Sequence, residues 1–131
     1  MSSDHGISSE RLPPQNIEAE RCVLGSMLRD NFIINDVVQI IRTENFYLDA
    51  HQKIFGAIKD TYDSGKPIDL VILANLLQER KQLEDVGSYA YLGELWESAP
   101  TAANAEYYAR IVREKGITRA LIHATTGILR A

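Results

Sequence analysis

A chain of 131 residues, 45% hydrophobic and 24% charged, has the length of one domain and enough apolar residues to build its core. Its fourteen basic residues are outnumbered by eighteen acidic ones and form no cluster longer than Arg80-Lys81, which argues against direct binding to nucleic-acid phosphates. One cysteine excludes an internal disulfide and a four-cysteine metal site, and no apolar run approaches the ~20 residues that span a bilayer, so a soluble cytoplasmic protein is expected.

Residues 1–12 read as a polar tail without periodicity. Pro13-Pro14 stiffens the chain, and Asn16 is placed to cap a helix with Glu18 and Glu20 in its first turn. Ile17, Val23, Leu24, Met27 and Leu28 give that helix an apolar stripe, which Asp30-Asn31 breaks. Ile34, Val37, Val38 and Ile41 repeat at i, i+3, i+4 and i+7, the spacing of a second helix facing a core. A third helix opens at Asp49, carries Ile54, Phe55, Ile58 and Tyr62, and ends at Gly65. Pro67 and Asp69 open a fourth with Leu70, Leu73, Ala74 and Leu77. After a charged turn and Gly87, Ser88 is the expected cap of a fifth with Tyr91, Leu92, Leu95 and Trp96, closed by Pro100. No stretch alternates with period two, so the fold class is all-α: a compact globule of about five helices over residues 13–100.

Residues 101–131 predict a helical hairpin for oligomerisation. One helix spans about Asn104 to Lys115, with Ala105, Tyr108, Ala109 and Val112 on one face; Gly116 makes the break, and a second helix starts at Ile117. The second helix has two apolar stripes, Ile117, Leu121, Ala124, Ile128 and Ile122, Thr125, Leu129. A hairpin partner covers only one of them, and the other needs a different surface, either the preceding helices or another subunit. The helix reaches Ala131 without a glycine, proline or polar cap, as though the natural chain continues.

Chemical motifs are sparse. A P-loop needs Gly, four spacers and Gly-Lys-Ser/Thr, but the only Gly-Lys, Gly65-Lys66, has Asp60 five residues before it and Pro67 after it. His51, with Asp49 and Glu44 near it in sequence, is the one acid–base candidate, yet it shares the face of Ile54, Phe55 and Ile58, where a packing histidine is far commoner. His123 has no metal-ligating neighbour at helical spacing, and Cys22 reads as a small core residue. Tyr89, Tyr91, Tyr107 and Tyr108 could stack on single-stranded nucleic acid, but no arginines interleave with them. No helix is basic enough to read a DNA groove. The pattern is that of an interaction module without catalytic, cofactor or metal residues.

Five blocks in order resemble the N-terminal domain of the DnaB family of replicative helicases. Arg11-Leu12-Pro13-Pro14-Gln15-Asn16-Ile17-Glu18-Ala19-Glu20 with Val23-Leu24-Gly25 is similar to its opening signature. Asn45-Phe46-Tyr47 with His51-Gln52-Lys53-Ile54-Phe55 follows, then Pro67-Ile68-Asp69-Leu70-Val71, then Gln82-Leu83-Glu84 through Gly87 to Tyr91-Leu92 and Glu94-Leu95. Pro100-Thr101-Ala102-Ala103-Asn104 leading to Tyr107-Tyr108-Ala109-Arg110-Ile111-Val112 resembles the start of the family's hairpin.

The resemblance implies a ring hexamer that unwinds duplex DNA, with ATP and Mg held in a C-terminal domain that is not in this chain. The N-terminal domains would form a collar in which hairpins pair into dimers and three dimers make a tier. Expected pairing residues are Tyr108, Ile111, Val112, Ile117, Leu121, Ala124 and Ile128. The expected docking surface for the C-terminal domain of a DnaG-type primase is Glu18, Tyr91, Ile122 and Ile128, with a helicase loader as a further partner and DNA reached only through the parent protein. Two competing readings remain: a free-standing helical adaptor without a motor domain, and a small hydrolase built on His51.

Overall fold

A computed structural model describes residues 12–99 and 101–130, apart from the side chains of 127–130. The tail before Leu12, Pro100, the side chains of Ile128 and Leu129, and Ala131 therefore lie outside the described residues. Within them the chain forms six α-helices and no strand: α1 (Ile17–Arg29), α2 (Ile34–Ile40), α3 (Asp49–Asp63), α4 (Leu70–Glu79), α5 (Ser88–Ser98) and α6 (Ala105–Arg130). Single 3₁₀ turns, Asn31–Ile33 and Thr43–Asn45, precede and follow α2.

Three of the expected helix stops and starts form as the side-chain chemistry dictates. The Asn16 side chain accepts from the Ala19 amide at 2.9 Å, and Asp69 accepts from Ile72 at 2.8 Å, each satisfying a donor that the first helical turn leaves free. Gly65 takes a left-handed φ of 75° and closes α3, with its amide on the Tyr62 carbonyl. Ser88 does not cap α5. Gly87 holds the cap position at φ 106°, while Ser88 is the first helical residue and gives its own amide to the Leu83 carbonyl, so its hydroxyl caps nothing.

α1 is the axis of the fold. The sequence suggests a stripe, but from Ala19 to Leu28 every residue except Arg21 is buried, because α3, α5 and α6 surround the helix. Gly25 permits the closest of these approaches: a methyl group there would lie 2.1 Å from the Leu95 carbonyl oxygen of α5. The core around α1 joins Val23, Leu24 and Met27 to Ile34, Val37, Phe55, Ile58, Leu73, Leu77, Leu92 and Leu95. Polar side chains fasten the seams. Arg29 donates to the Trp96 carbonyl at 2.7 Å and lies over its indole, and the Asn31 amide bonds both the carbonyl and the N–H of Ile68. No helix of the described residues is long and apolar enough to cross a membrane.

The hairpin break expected at Gly116 is absent. α6 runs unbroken for 26 residues, and Gly116 keeps a right-handed helical backbone. The residue serves packing instead. A side-chain carbon there would come within 2.7 Å of the Asn45 Cα, so only glycine lets α6 lie against the Thr43–Asn45 turn. A helix interior tolerates one glycine at about 1 kcal/mol relative to alanine, which burial of Ala105, Ala109 and Val112 earlier in α6 offsets.

Candidate functional site

α6 has two halves with different surroundings. In the first, Ala105, Ala109 and Val112 are buried against the core and Tyr108 and Ile111 pack at its edge. This half ends in a clamp that the sequence did not suggest. The Arg119 guanidinium donates to the Pro14 carbonyl at 2.8 Å and the Asn45 carbonyl at 2.7 Å, and lies 5.4 Å from the centre of the Tyr47 ring. From Ala120 to Thr126 every residue is exposed, so the second half leaves the globule as an arm. At a rise of 1.5 Å per residue, the stretch from Ala120 to Arg130 is roughly 16 Å long.

The expected pairing residues fall on both halves. Ile117 is 42% exposed and Leu121 63%, and with exposed Ala124 they form one uncovered row at i, i+4 and i+7. Tyr108 and Ile111 are half-buried beside the core. Val112 is 1% exposed and enclosed by the chain's own helices; its apolar spacing serves the internal core, and it has no surface for a partner.

Of the expected docking residues, Glu18 is exposed on the first turn of α1 and Tyr91 is half-buried on α5, near enough for the Glu18 carboxylate to oppose ionisation of the phenol. Ile122 stands on the arm, half exposed, on a separate element. Around Tyr91, Arg21 lies over the ring at 5.6 Å and pairs with Glu94 at 3.5 Å. Burial raises the Tyr91 phenol above its ordinary pKa, while Arg21 pulls it the other way. Burial and the Glu18 carboxylate raise the Cys22 thiol, which keeps it protonated and unreactive.

Behind Tyr91 lies an enclosed polar group. His51 is fully buried, with Nδ1 2.7 Å from Glu20 Oε1 and Nε2 2.6 Å from the Tyr91 hydroxyl. The other oxygen of Glu20 accepts the Tyr47 amide at 2.7 Å. The carboxylate that meets His51 thus comes from α1, not from its sequence neighbours: Asp49 pairs with Lys53 at 2.9 Å, and Glu44 is exposed. A ring with no exposed surface admits no substrate, which removes the basis for a hydrolase at His51. Glu20 looked like a first-turn acid favoured by the helix dipole. Its position three, four and seven residues before Val23, Leu24 and Met27 was the signal that it faces inward.

A second convergence is basic. Arg42, Arg113, Arg119 and His123, with Glu44, surround an open cleft of about 620 Å³ floored by Ile40, Gly116 and Ile117. Among the described residues no group of three or more His, Cys, Asp or Glu side chains could hold a metal ion.

Residues 12–114 match the family model of the DnaB-like helicase N terminal domain. The replicative DNA helicase DnaB of Geobacillus stearothermophilus is 49% identical over 122 residues, covering 93% of this chain and 27% of that protein, so the chain spans about a quarter of that relative's length. Among solved structures, the N-terminal domain of DnaB helicase from Mycobacterium tuberculosis superposes with a TM-score of 0.89 at 44% identity, over 91% of this chain and 83% of that one. A DnaB-like replicative helicase described with its interactions with primase superposes at 0.78 and 26% identity, over 88% of this chain and 27% of that one.

Proposed function

Because this chain belongs to the DnaB-like helicase N-terminal domain family, we propose that it is the collar domain of a hexameric, ATP-dependent replicative DNA helicase, doing the work of assembly and partner docking. Unwinding and ATP hydrolysis then belong to a C-terminal domain of the parent protein, where ATP and Mg bind. The observation that carries the reading is the uncovered row of Ile117, Leu121 and Ala124 on a helix that leaves its own globule. An aliphatic side chain of this kind contributes about 1.5–3 kcal/mol when fully covered, so a row of them favours pairing with the same row of a second chain. Such pairs, three to a ring, are the dimers of the collar.

Primase docking is the second half of the proposal. Glu18 and Tyr91 share one face, Ile122 and Ile128 lie on the arm, and a similar helicase has been described with its interactions with primase. A helicase loader is a further partner at the collar. The test is the molar mass of this chain by light scattering across a wide concentration range, repeated on a chain extended past Ala131. Dimers or hexamers that Leu121→Asp dissolves support the proposal. A monomer at every concentration in both chains overturns it.

A further inference from the structure

Resting on the reading of Tyr91 as a docking residue, we infer that buried His51 is a positioning residue that sets how Tyr91 is presented to the primase. Glu20 determines the direction of the relay. A carboxylate oxygen only accepts, so in the singly protonated ring the 2.7 Å contact puts the proton on Nδ1 and leaves Nε2 as an acceptor. The 2.6 Å contact is then the Tyr91 hydroxyl donating inward to Nε2. Glu20 is itself fixed, since its second oxygen holds the Tyr47 amide. The imidazole and the Tyr91 ring lie edge to edge, with centroids 5.9 Å apart and planes 13° from parallel, while Arg21 lies over the Tyr91 ring at 5.6 Å.

A phenol held this way has lost its rotational freedom before a partner arrives. Its hydroxyl proton is occupied inside the fold, so the partner meets an aromatic ring beside the Arg21–Glu94 pair. Ordering a side chain in advance saves the entropy that binding would otherwise cost. Every polar atom of the relay has a partner, yet packing does not require it: a core position can be filled by an apolar residue without three linked polar groups. The groups facing His51 are Glu20 from α1 and Tyr91 from α5, with the edge of Phe46 against the ring.

The experiment is a titration of the chain with the C-terminal domain of the DnaG-type primase from the same cell, using Tyr91→Ala, His51→Gln and both together. Tyr91→Ala is expected to weaken binding about 30-fold, the effect of truncating an interface anchor. His51→Gln should weaken it about five-fold, as for releasing one ordered side chain, and should add nothing in the Tyr91→Ala background. A merely structural histidine would weaken binding equally in both backgrounds, and that overturns the inference. Unchanged binding by His51→Gln alone also overturns it while the docking reading stands; unchanged binding by Tyr91→Ala removes both. If His51→Gln does not fold, nitrogen-15 NMR of the unaltered chain decides. A proton on Nδ1 with Nε2 accepting supports the inference, and a proton on Nε2 overturns it.

Discussion

Gly116→Ala should destabilise this protein although alanine is the best helix former and Gly116 lies inside a helix. In an open helix interior the change would add up to about 1 kcal/mol of stability. Here the new carbon would stand 2.7 Å from the Asn45 Cα and 2.8 Å from its Nδ2. Carbon atoms in contact sit at roughly 3.5–4.0 Å, so about 1 Å must be found by moving backbone. Asn45 cannot simply swing aside, because its Oδ1 accepts the Arg42 amide and its carbonyl holds Arg119. Overpacking of this kind costs about 1–3 kcal/mol, which leaves a net loss of up to about 2 kcal/mol after the gain in helix propensity. Gly56→Ala is the matched control, since it lies inside α3 with nothing within 4 Å of the added carbon. It should gain about 0.5–1 kcal/mol. Thermal unfolding followed by circular dichroism should separate the two variants by about 8 °C, taking about 4 °C per kcal/mol for this size. If Gly116→Ala melts with or above Gly56→Ala, the close approach of α6 to the Thr43–Asn45 turn is wrong.

Arg119→Ala removes two charge-assisted bonds to carbonyls and a ring contact, and urea titration should show a loss of about 2 kcal/mol. Exposed Arg113→Ala is expected to stay within about 0.5 kcal/mol of the parent. Ile122→Asp should abolish primase binding while leaving helicity intact, and an unchanged dissociation constant would take Ile122 out of the docking surface. Burial raises the Cys22 thiol above 9.0 and the Tyr91 phenol above 10.0, so the folded chain holds both protons more tightly than the unfolded one. Their contribution to stability is therefore complete below pH 9 and is lost as pH rises through the shifted values. Urea unfolding at steps from pH 8 to pH 11 should show that fall, and a Cys22→Ala, Tyr91→Phe double variant should flatten it.

Local signals led to the helices and missed what depends on neighbours. Asn16, Asp69 and Gly65 act within a turn of where they stand, so their caps were readable from the chain. Gly116 was misread because a glycine that ends a helix and one that permits a close approach look the same in sequence; only Asn45, 71 positions earlier, separates them. Val112 has the spacing of an interface residue, but the surface it faces is internal. Arg119 was invisible for the same reason, since its partners lie on segments remote in sequence; the spacing of Glu20 showed that it faces inward, but not that it meets His51. The exposed row of Ile117, Leu121 and Ala124 was legible because periodicity alone predicts apolar residues that the chain's other helices do not use up.

Continuity through Gly116 makes α6 a lever. Had the chain turned there, the outer helix could swing about the turn while the globule stayed still. Instead, one set of backbone hydrogen bonds crosses from the half fixed by Arg119 to the half that stands clear. With an arm of roughly 16 Å, a tilt of about 10° at the base moves the tip by roughly 3 Å. Conversely, whatever grips the tip fixes the heading of the whole globule, carrying the Tyr91 face and the basic cleft with it.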